Sequence, residues 1–422
     1  MIDLDTRGGP QEAEPERPWR FHRRGWAAAL AAALALTLVS GAGPPVSLDP
    51  VLTLPGGEVL DVRVDGGTVF VLARDSLTAY RWPDGARRWT TATGTTTRMV
   101  GVEDGRVVLA EQQPAALIGL DAATGARLWR RAGLTPAVYG AGGAPGVVVA
   151  TTDAATVEAD TGVDIRTGAV RWSLPRSPDI ARSLVPTGRG SGIAIADLDP
   201  DGTLLVHSAE SAAVVRTVRL DHPGAFNWFG VRGDRLTIAQ TTERNEMLSS
   251  AVYDLTTGRM LWQRNDGPGG APLWWCGSMM CTGTRDEIAV LDPDTGRERW
   301  RHNRLGSLGS PDDRYLLAAP LVHTGPEIEP GIVVLDPATG HVLRRVPDWY
   351  VTGALGRHGV LVATRLADGA ALLGAFDPAT GAVRVLARAE HWTTVPCTVS
   401  GSRLACFQDP VAIWPVPSNL SP

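Results

Sequence analysis

A ten-residue pattern returns along this chain: LDAATGARLW at residues 120–129, VDIRTGAVRW at 163–172, YDLTTGRMLW at 253–262 and LDPDTGRERW at 291–300. Three looser copies, YRWPDGARRW, LDPATGHVLR and FDPATGAVRV, bring the series of glycines to Gly85, Gly125, Gly168, Gly258, Gly296, Gly340 and Gly381. The interval is about 40–45 residues, the spacing of four-stranded propeller blades. The one long gap, between Gly168 and Gly258, holds a worn copy near Ala212 in AESAAVVRTV.

Each copy makes physical sense as a turn between two strands. Asp at its start accepts backbone N–H bonds two residues on, and Pro (Pro293, Pro337, Pro378) presets φ for the next step. Gly takes the left-handed conformation that other residues resist. Short apolar strands precede the turn, as in GRVVLAEQQPAALIGLD, and an outer strand follows it. Four residues past the glycine of five copies stands a tryptophan: Trp89, Trp129, Trp172, Trp262 and Trp300. Such a side chain buries ~150–250 Å², worth roughly 4–6 kcal/mol before entropy, enough to weld one blade to the next. Arg344 and Val385 occupy that position in the last two copies, so weaker seams are expected there.

The Asp-x-x-Thr-Gly-x-x-x-Trp signature resembles the tryptophan-docking repeat of the quinoprotein alcohol dehydrogenase-like superfamily, the PQQ-like repeats. The resemblance covers about residues 51–416 and implies an all-β propeller. WD40 repeats fit less well, because the Gly-His and Trp-Asp signatures are missing. Eight whole repeats precede a three-strand remnant, TVPCTVSGSRLACFQDPVAIWPV, whose natural partner is the N-terminal stretch PVLTLPG. Counted literally this gives nine blades. The family usually shows eight, and eight four-stranded blades over residues 51–418 is the expectation.

Ahead of the repeats the chain changes character. Residues 1–25 are rich in charge, Pro and Gly and read as a disordered cytoplasmic tail. Residues 26–42, WAAALAAALALTLVSGA, carry no charge from Trp26 onward and span roughly 26 Å as a helix, within the tolerated range for a membrane span. Arg17, Arg20, Arg23 and Arg24 stand on its N-terminal side only, which holds the N-terminus in the cytoplasm and exports the chain beyond Pro44. One transmembrane signal-anchor helix, a linker at 43–50 and a propeller outside the cytoplasm of a cell membrane is the expected order. Ser40 and Ala42 also offer a cleavage site, so a removed signal peptide is the alternative.

All 40 basic residues are arginine and the formal charge is −5, which leaves no basic footprint for nucleic acid. Cys276 and Cys281 bracket GSMM, and Cys397 and Cys406 bracket TVSGSRLA. With two-residue loops at Ser278-Met279 and Gly401-Ser402, each pair falls on closely spaced cross-strand positions, so two hairpin disulfides are expected, consistent with an oxidising compartment.

Quinoprotein dehydrogenases of the superfamily hold their quinone against a disulfide of adjacent cysteines, and no Cys-Cys pair exists here. The resemblance therefore speaks for fold ancestry, and PQQ is not expected. The eight histidines form no local ligand pair, and no Gly-x-Ser-x-Gly elbow or phosphate loop occurs. No residue is assigned a catalytic role.

Two features gather on the propeller face that carries the longer loops. Aromatic residues stand where the chain enters inner strands: Phe226, Trp228 and Phe229, then Trp274 and Trp275, Trp349 and Tyr350, and Trp392. They suit peptide or sugar recognition at a channel mouth, and inter-blade packing accounts for them equally well. The stretch DLDPDG aligns Asp197, Asp199 and Asp201 ahead of Gly202, with Glu243, Glu246, Glu327 and Glu329 in neighbouring loops. The order matches the first half of a calcium loop, but position twelve is Ser208 where a bidentate Glu is needed; a plain Asp-Gly hairpin is the competing reading. The leading expectation is a non-catalytic propeller binding a protein or envelope-glycan partner. A quinoprotein oxidoreductase and a membrane-anchored ligand sensor are the rivals.

Overall fold

In the computed structural model each repeat is an antiparallel four-stranded sheet. The structure describes residues 48–55, 58–136, 146–152, 159–177, 179–186, 193–221, 226–242, 247–283, 287–320, 331–354, 359–389, 397–400, 403–406 and 410–416. Blade one comprises Val59–Asp65, Thr68–Ala73, Ser76–Arg81 and Arg87–Ala92, running from the inner strand to the outer. Blades two to eight repeat that order at 97–132, 134–175, 181–219, 228–270, 273–303, 305–347 and 350–389. The second and third strands are buried on both faces, as Arg106–Gln112 and Ala115–Asp121 show, because each sheet is packed between two others. Outer strands point one side chain inward, as in Arg127–Ala132, where Trp129 alone is buried.

The described residues form nine sheets rather than eight. Cys397–Ser400, Arg403–Cys406 and Val411–Pro415 are completed by Leu52–Leu54, with Leu52 opposite Ile413 and Leu54 opposite Val411. The remnant is thus a full blade whose outer strand comes from the other end of the chain. Leu52 and Leu54 do there what tryptophan does elsewhere: a Cβ on Gly85 of blade one would sit 2.7 Å from Leu52 Cδ1. The Arg403 guanidinium adds a contact to blade one, 4.5 Å above the Trp82 ring.

The turn code works as the sequence suggests. Asp121 Oδ1 accepts from the amides of Ala123 and Thr124 at 3.1 and 3.0 Å and from the Thr124 hydroxyl at 2.9 Å. Gly125, at φ +72°, closes the turn onto the Asp121 carbonyl. A Cβ there would also lie 2.5 Å from Trp89 of blade one, so glycine is required by conformation and by contact.

Each docking indole donates to the carbonyl that follows the next blade's turn aspartate, or its Ser208 replacement. Trp89 reaches Ala122, Trp129 Ile165, Trp172 Ala209, Trp262 Pro293 and Trp300 Pro337, at 2.8–3.1 Å. The seam at Arg344 is rebuilt rather than lost. Its Nε donates to Ala379 of blade eight at 3.0 Å, and its stem lies against Gly381 as an indole would. Arg216 of blade four makes the hydrogen bond alone, its Nη2 donating to the Leu255 carbonyl at 2.6 Å. At Val385 the gap is closed differently: the Leu48 carbonyl accepts from the Trp414 indole at 2.9 Å and from the Arg388 amide at 3.3 Å.

Both expected disulfides are present, Cys276–Cys281 with Cα atoms 5.7 Å apart and Cys397–Cys406 with 4.1 Å. Cys397 faces Cys406 directly. Cys276 instead faces Met279 and Cys281 faces Trp274, so that bridge runs diagonally and the loop is Gly277-Ser278, one residue earlier than expected. The reason is local: a two-residue hairpin loop of this kind needs positive φ at its first position, and Gly277 supplies it at +71°.

The tail at 1–25, the expected span at 26–42 and most of the linker lie outside the described residues. Among the described residues no helix is long and apolar enough to cross a membrane.

Candidate functional site

Inner strands begin on the face that also carries the loops joining second strands to third. Blade five opens there with Trp228, whose neighbour Asn227 is fixed by three hydrogen bonds with Thr241: to its amide (2.8 Å), its hydroxyl (3.2 Å) and its carbonyl (2.9 Å). Alternation along Trp228–Arg232 then separates two environments. Phe229 turns into the apolar seam with blade four, with Phe226 packed on the same cluster. Trp228 turns the other way and is 45% exposed. Its ring lies over Gly230, where a Cβ would be 3.1 Å from Cη2. Glycine thus gives the indole a flat seat, leaving aromatic surface to solvent.

The other aromatic candidates have different surroundings. Trp274 packs into the seam between blades six and seven, and Trp275 into the seam between five and six. Trp349 packs between blades seven and eight, with its ring 3.3 Å from the Cβ position of Gly374. Tyr350 opens the inner strand of blade eight and is half-buried. Trp392, Glu243, Glu246, Glu327 and Glu329 lie outside the described residues. Of the described tryptophan candidates, Trp228 alone is exposed at the start of an inner strand, and the seams hold the other three.

The acidic stretch resolves into three unlike carboxylates. Asp197 is buried, and Arg182 grips both its oxygens at 2.5 and 2.7 Å. Arg182 also reaches Asp160 of blade three at 3.1 Å, which in turn binds Arg176 at 2.9 Å. His207 Nε2 stands 3.3 Å from Asp197, while its Nδ1 meets the Ala212 carbonyl at 3.0 Å and braces the worn turn. Asp201 is exposed and takes bonds from Arg219 (2.6 Å) and the Thr203 amide (2.9 Å), which hold its carboxyl at about 2. Asp199 is pushed the other way, upward, by burial and by the charges of Asp201 and Asp197. Among the described residues no three His, Cys, Asp or Glu side chains converge as a metal-holding group.

Sequence reasoning missed the clasp of Asp160, Arg182 and Asp197. Its signal was present: the position of Asp160 in the repeat holds Leu77, Leu117, Leu204, Ile288, Ile332 and Leu373 in other blades. A carboxylate at a leucine position of a repeat must find a cation.

The family model described as outer membrane protein assembly factor BamB, a PQQ-type repeat model, matches residues 23–183 and 161–314. The chain belongs to this family. No curated protein matches it. Among solved structures, BamB from Moraxella catarrhalis aligns over 87% of this chain and 99% of its own at 16% identity, with a TM-score of 0.42. The computationally designed Ika8 protein aligns over 87% and 100% at 14% identity and a TM-score of 0.41. A structure described as the eukaryotic initiation factor aligns over 84% and 90% at 13% identity and a TM-score of 0.51. At these identities the likeness is one of fold, and function rests on the site.

Proposed function

We propose that this BamB-family propeller is a non-catalytic, membrane-anchored scaffold outside the cytoplasm that binds a protein or envelope-glycan partner at the long-loop mouth. The observation that carries the reading is Trp228: an exposed indole seated on Gly230, positioned by the Asn227–Thr241 bonds. An aromatic face offered to solvent from a rigid strand loses little entropy on binding, which is why such residues anchor interfaces. Two disulfides on hairpins support an oxidising compartment, and the uncharged run at 26–42 with arginines on one side supports the anchor. Neither a quinone nor a metal is needed for this role.

The test is capture of partners from envelope extracts by the full chain and its Trp228→Ala variant, with thermal unfolding of both. Trp228→Ala is expected to lose the captured partner at least tenfold with an unchanged unfolding midpoint. Trp275→Ala and Trp349→Ala are unsuitable probes, because both rings pack in seams and their removal disturbs the ring of blades. Undiminished capture by Trp228→Ala would remove the proposed contact.

A further inference from the structure

The segment that completes blade nine enters the ring beside blades one and two. A Cβ on Gly85 of blade one would stand 2.7 Å from Leu52 Cδ1, and one on Gly125 of blade two would stand 2.5 Å from Trp89 of blade one. These two contacts, one across each seam, set the starts of the outer strands Arg87–Ala92 and Arg127–Ala132 in succession next to the closing segment. Two and three residues past the turn glycines stand Arg87 and Arg88 in blade one and Arg127 and Leu128 in blade two, all exposed. Val51, at the head of the closing strand, is 51% exposed and Leu128 is 46% exposed.

Among the described residues the guanidiniums of Arg87, Arg88 and Arg127 have no ion-pair or hydrogen-bond partner. The carboxylates of the same two turns are already taken, Asp84 by Arg81 at 2.5 Å and Asp121 by Arg106 at 3.5 Å. Elsewhere on the rim these two positions differ. In blades four, five and seven both are apolar. Arg171 of blade three binds Asp164, Arg299 of blade six binds Asp292, and Arg384 of blade eight is engaged as well.

An exposed arginine loses nothing in water, so what these three do depends on where they sit. The expected membrane span ends at Ala42, and the chain is docked on the ring from Leu48, whose carbonyl holds the Trp414 indole and the Arg388 amide. Six residue steps reach roughly 20 Å at most. A chain held in a bilayer by residues 26–42 therefore keeps this part of the rim within reach of the headgroups. The residues there suit that surface: guanidinium forks pair with phosphate oxygens, and exposed apolar side chains between them enter the boundary below.

We infer that the rim formed by Val51, Arg87, Arg88, Arg127 and Leu128 rests on the membrane surface and binds the phosphates of anionic lipid headgroups. The inference rests on the anchored reading proposed above. Each arginine near an anionic surface is worth about fivefold in partitioning. Blade five lies about half-way round the ring from the closing segment, so a bilayer at this rim leaves the Trp228 mouth open to a partner.

All four cysteines are paired in disulfides, so one added thiol can be labelled selectively. The full chain carrying Ala126→Cys, beside the arginines, or Met260→Cys, on the rim of blade five, is labelled with a fluorophore and reconstituted into phosphatidylcholine vesicles with or without phosphatidylglycerol. Headgroup-nitroxide lipid quenches a label that lies at the surface, and flotation of the neutral vesicles reads insertion separately. Quenching at position 126 is expected to exceed that at position 260 at least twofold, and to rise with phosphatidylglycerol. Arg87→Ser, Arg88→Ser and Arg127→Ser together, or high salt, should remove the phosphatidylglycerol-dependent part while insertion is unchanged. Equal quenching at the two positions in a chain that floats, or undiminished phosphatidylglycerol dependence in the triple variant, would overturn this surface and leave the anchored reading standing. A chain that fails to float with neutral vesicles would overturn both.

Discussion

Arg344 donates its Nε to the Ala379 carbonyl across the seam between blades seven and eight, and its stem covers the turn glycine Gly381. A guanidinium on a three-carbon stem reproduces both parts of the tryptophan dock, the hydrogen bond and the flat cover over glycine. What it lacks is buried apolar area, since Arg344 is exposed whereas Trp129 is buried. Arg344→Ala is expected to cost about 0.5–1.5 kcal/mol in chemical denaturation, the range of one hydrogen bond. A cost matching that of a tryptophan deletion would show that the stem, rather than the bond, carries the seam.

Trp129 is enclosed on two sides. A Cβ on Gly119 of its own blade would stand 2.1 Å from its ring, and one on Gly168 of the next blade 2.6 Å. Trp129→Ala should cost about 3–5 kcal/mol by opening a cavity in that seam. Gly168→Ala should also destabilise, through strain at φ +69° and the clash with the indole. Denaturant unfolding of both variants checks this, and a change within error for Trp129→Ala would mean that the ring is not buried as described.

Acid should loosen the turns. Burial alone would raise the Asp164 carboxyl, but bonds from Arg171 and from Thr167 and Arg166 outweigh it and hold it at about 2. A carboxyl depressed in the folded state contributes stability above its unfolded value of ~3.9, and that contribution is lost as pH falls through the folded value. Asp164→Asn is therefore expected to lower the unfolding midpoint at pH 7, with the difference from wild type shrinking between about pH 4 and about pH 2. A difference independent of pH would point to geometry rather than charge.

Asp199 carries the opposite sign. Its carboxyl is raised by burial and by its acidic neighbours, so ionisation above its unfolded value works against the fold. Asp199→Asn should raise the midpoint at pH 7 and leave it unchanged near pH 3. If the same variant instead lost a calcium-dependent rise in midpoint, the loop would be a calcium site after all.

Much of the fold was legible because the turn code is local. Asp121, Thr124 and Gly125 satisfy one another within five residues, so their spacing alone specifies the turn and its period specifies the blades. The ninth blade was countable in the same way; family habit pointed to eight, and the pairing of Leu52 with Ile413 decides it. Long-range substitutions were harder to read. Nothing adjacent to Arg344 announces that its guanidinium reaches a carbonyl thirty-five residues on. Trp274, Trp275 and Trp349 share with Trp228 a place at the entrance to inner strands, yet the consecutive Trp274 and Trp275 reach the seams on either side of blade six and Trp349 the seam between seven and eight, while Trp228 lies over Gly230 and stays exposed. Asp197 read as one of three loop carboxylates, whereas its partners, Arg182 and His207, are set by the pairing of three strands.

The proposed role stands or falls on whether the long-loop mouth at Trp228 meets a partner. Photo-crosslinking decides it, with a photoreactive phenylalanine analogue placed at position 228 or at Asp65, an exposed residue at the end of the inner strand of blade one, on the opposite face. A discrete crosslinked partner from position 228 and none from position 65 is the expected result in intact cells. Crosslinks from position 65 alone would refute the proposal and move the working surface to the face of the tight turns.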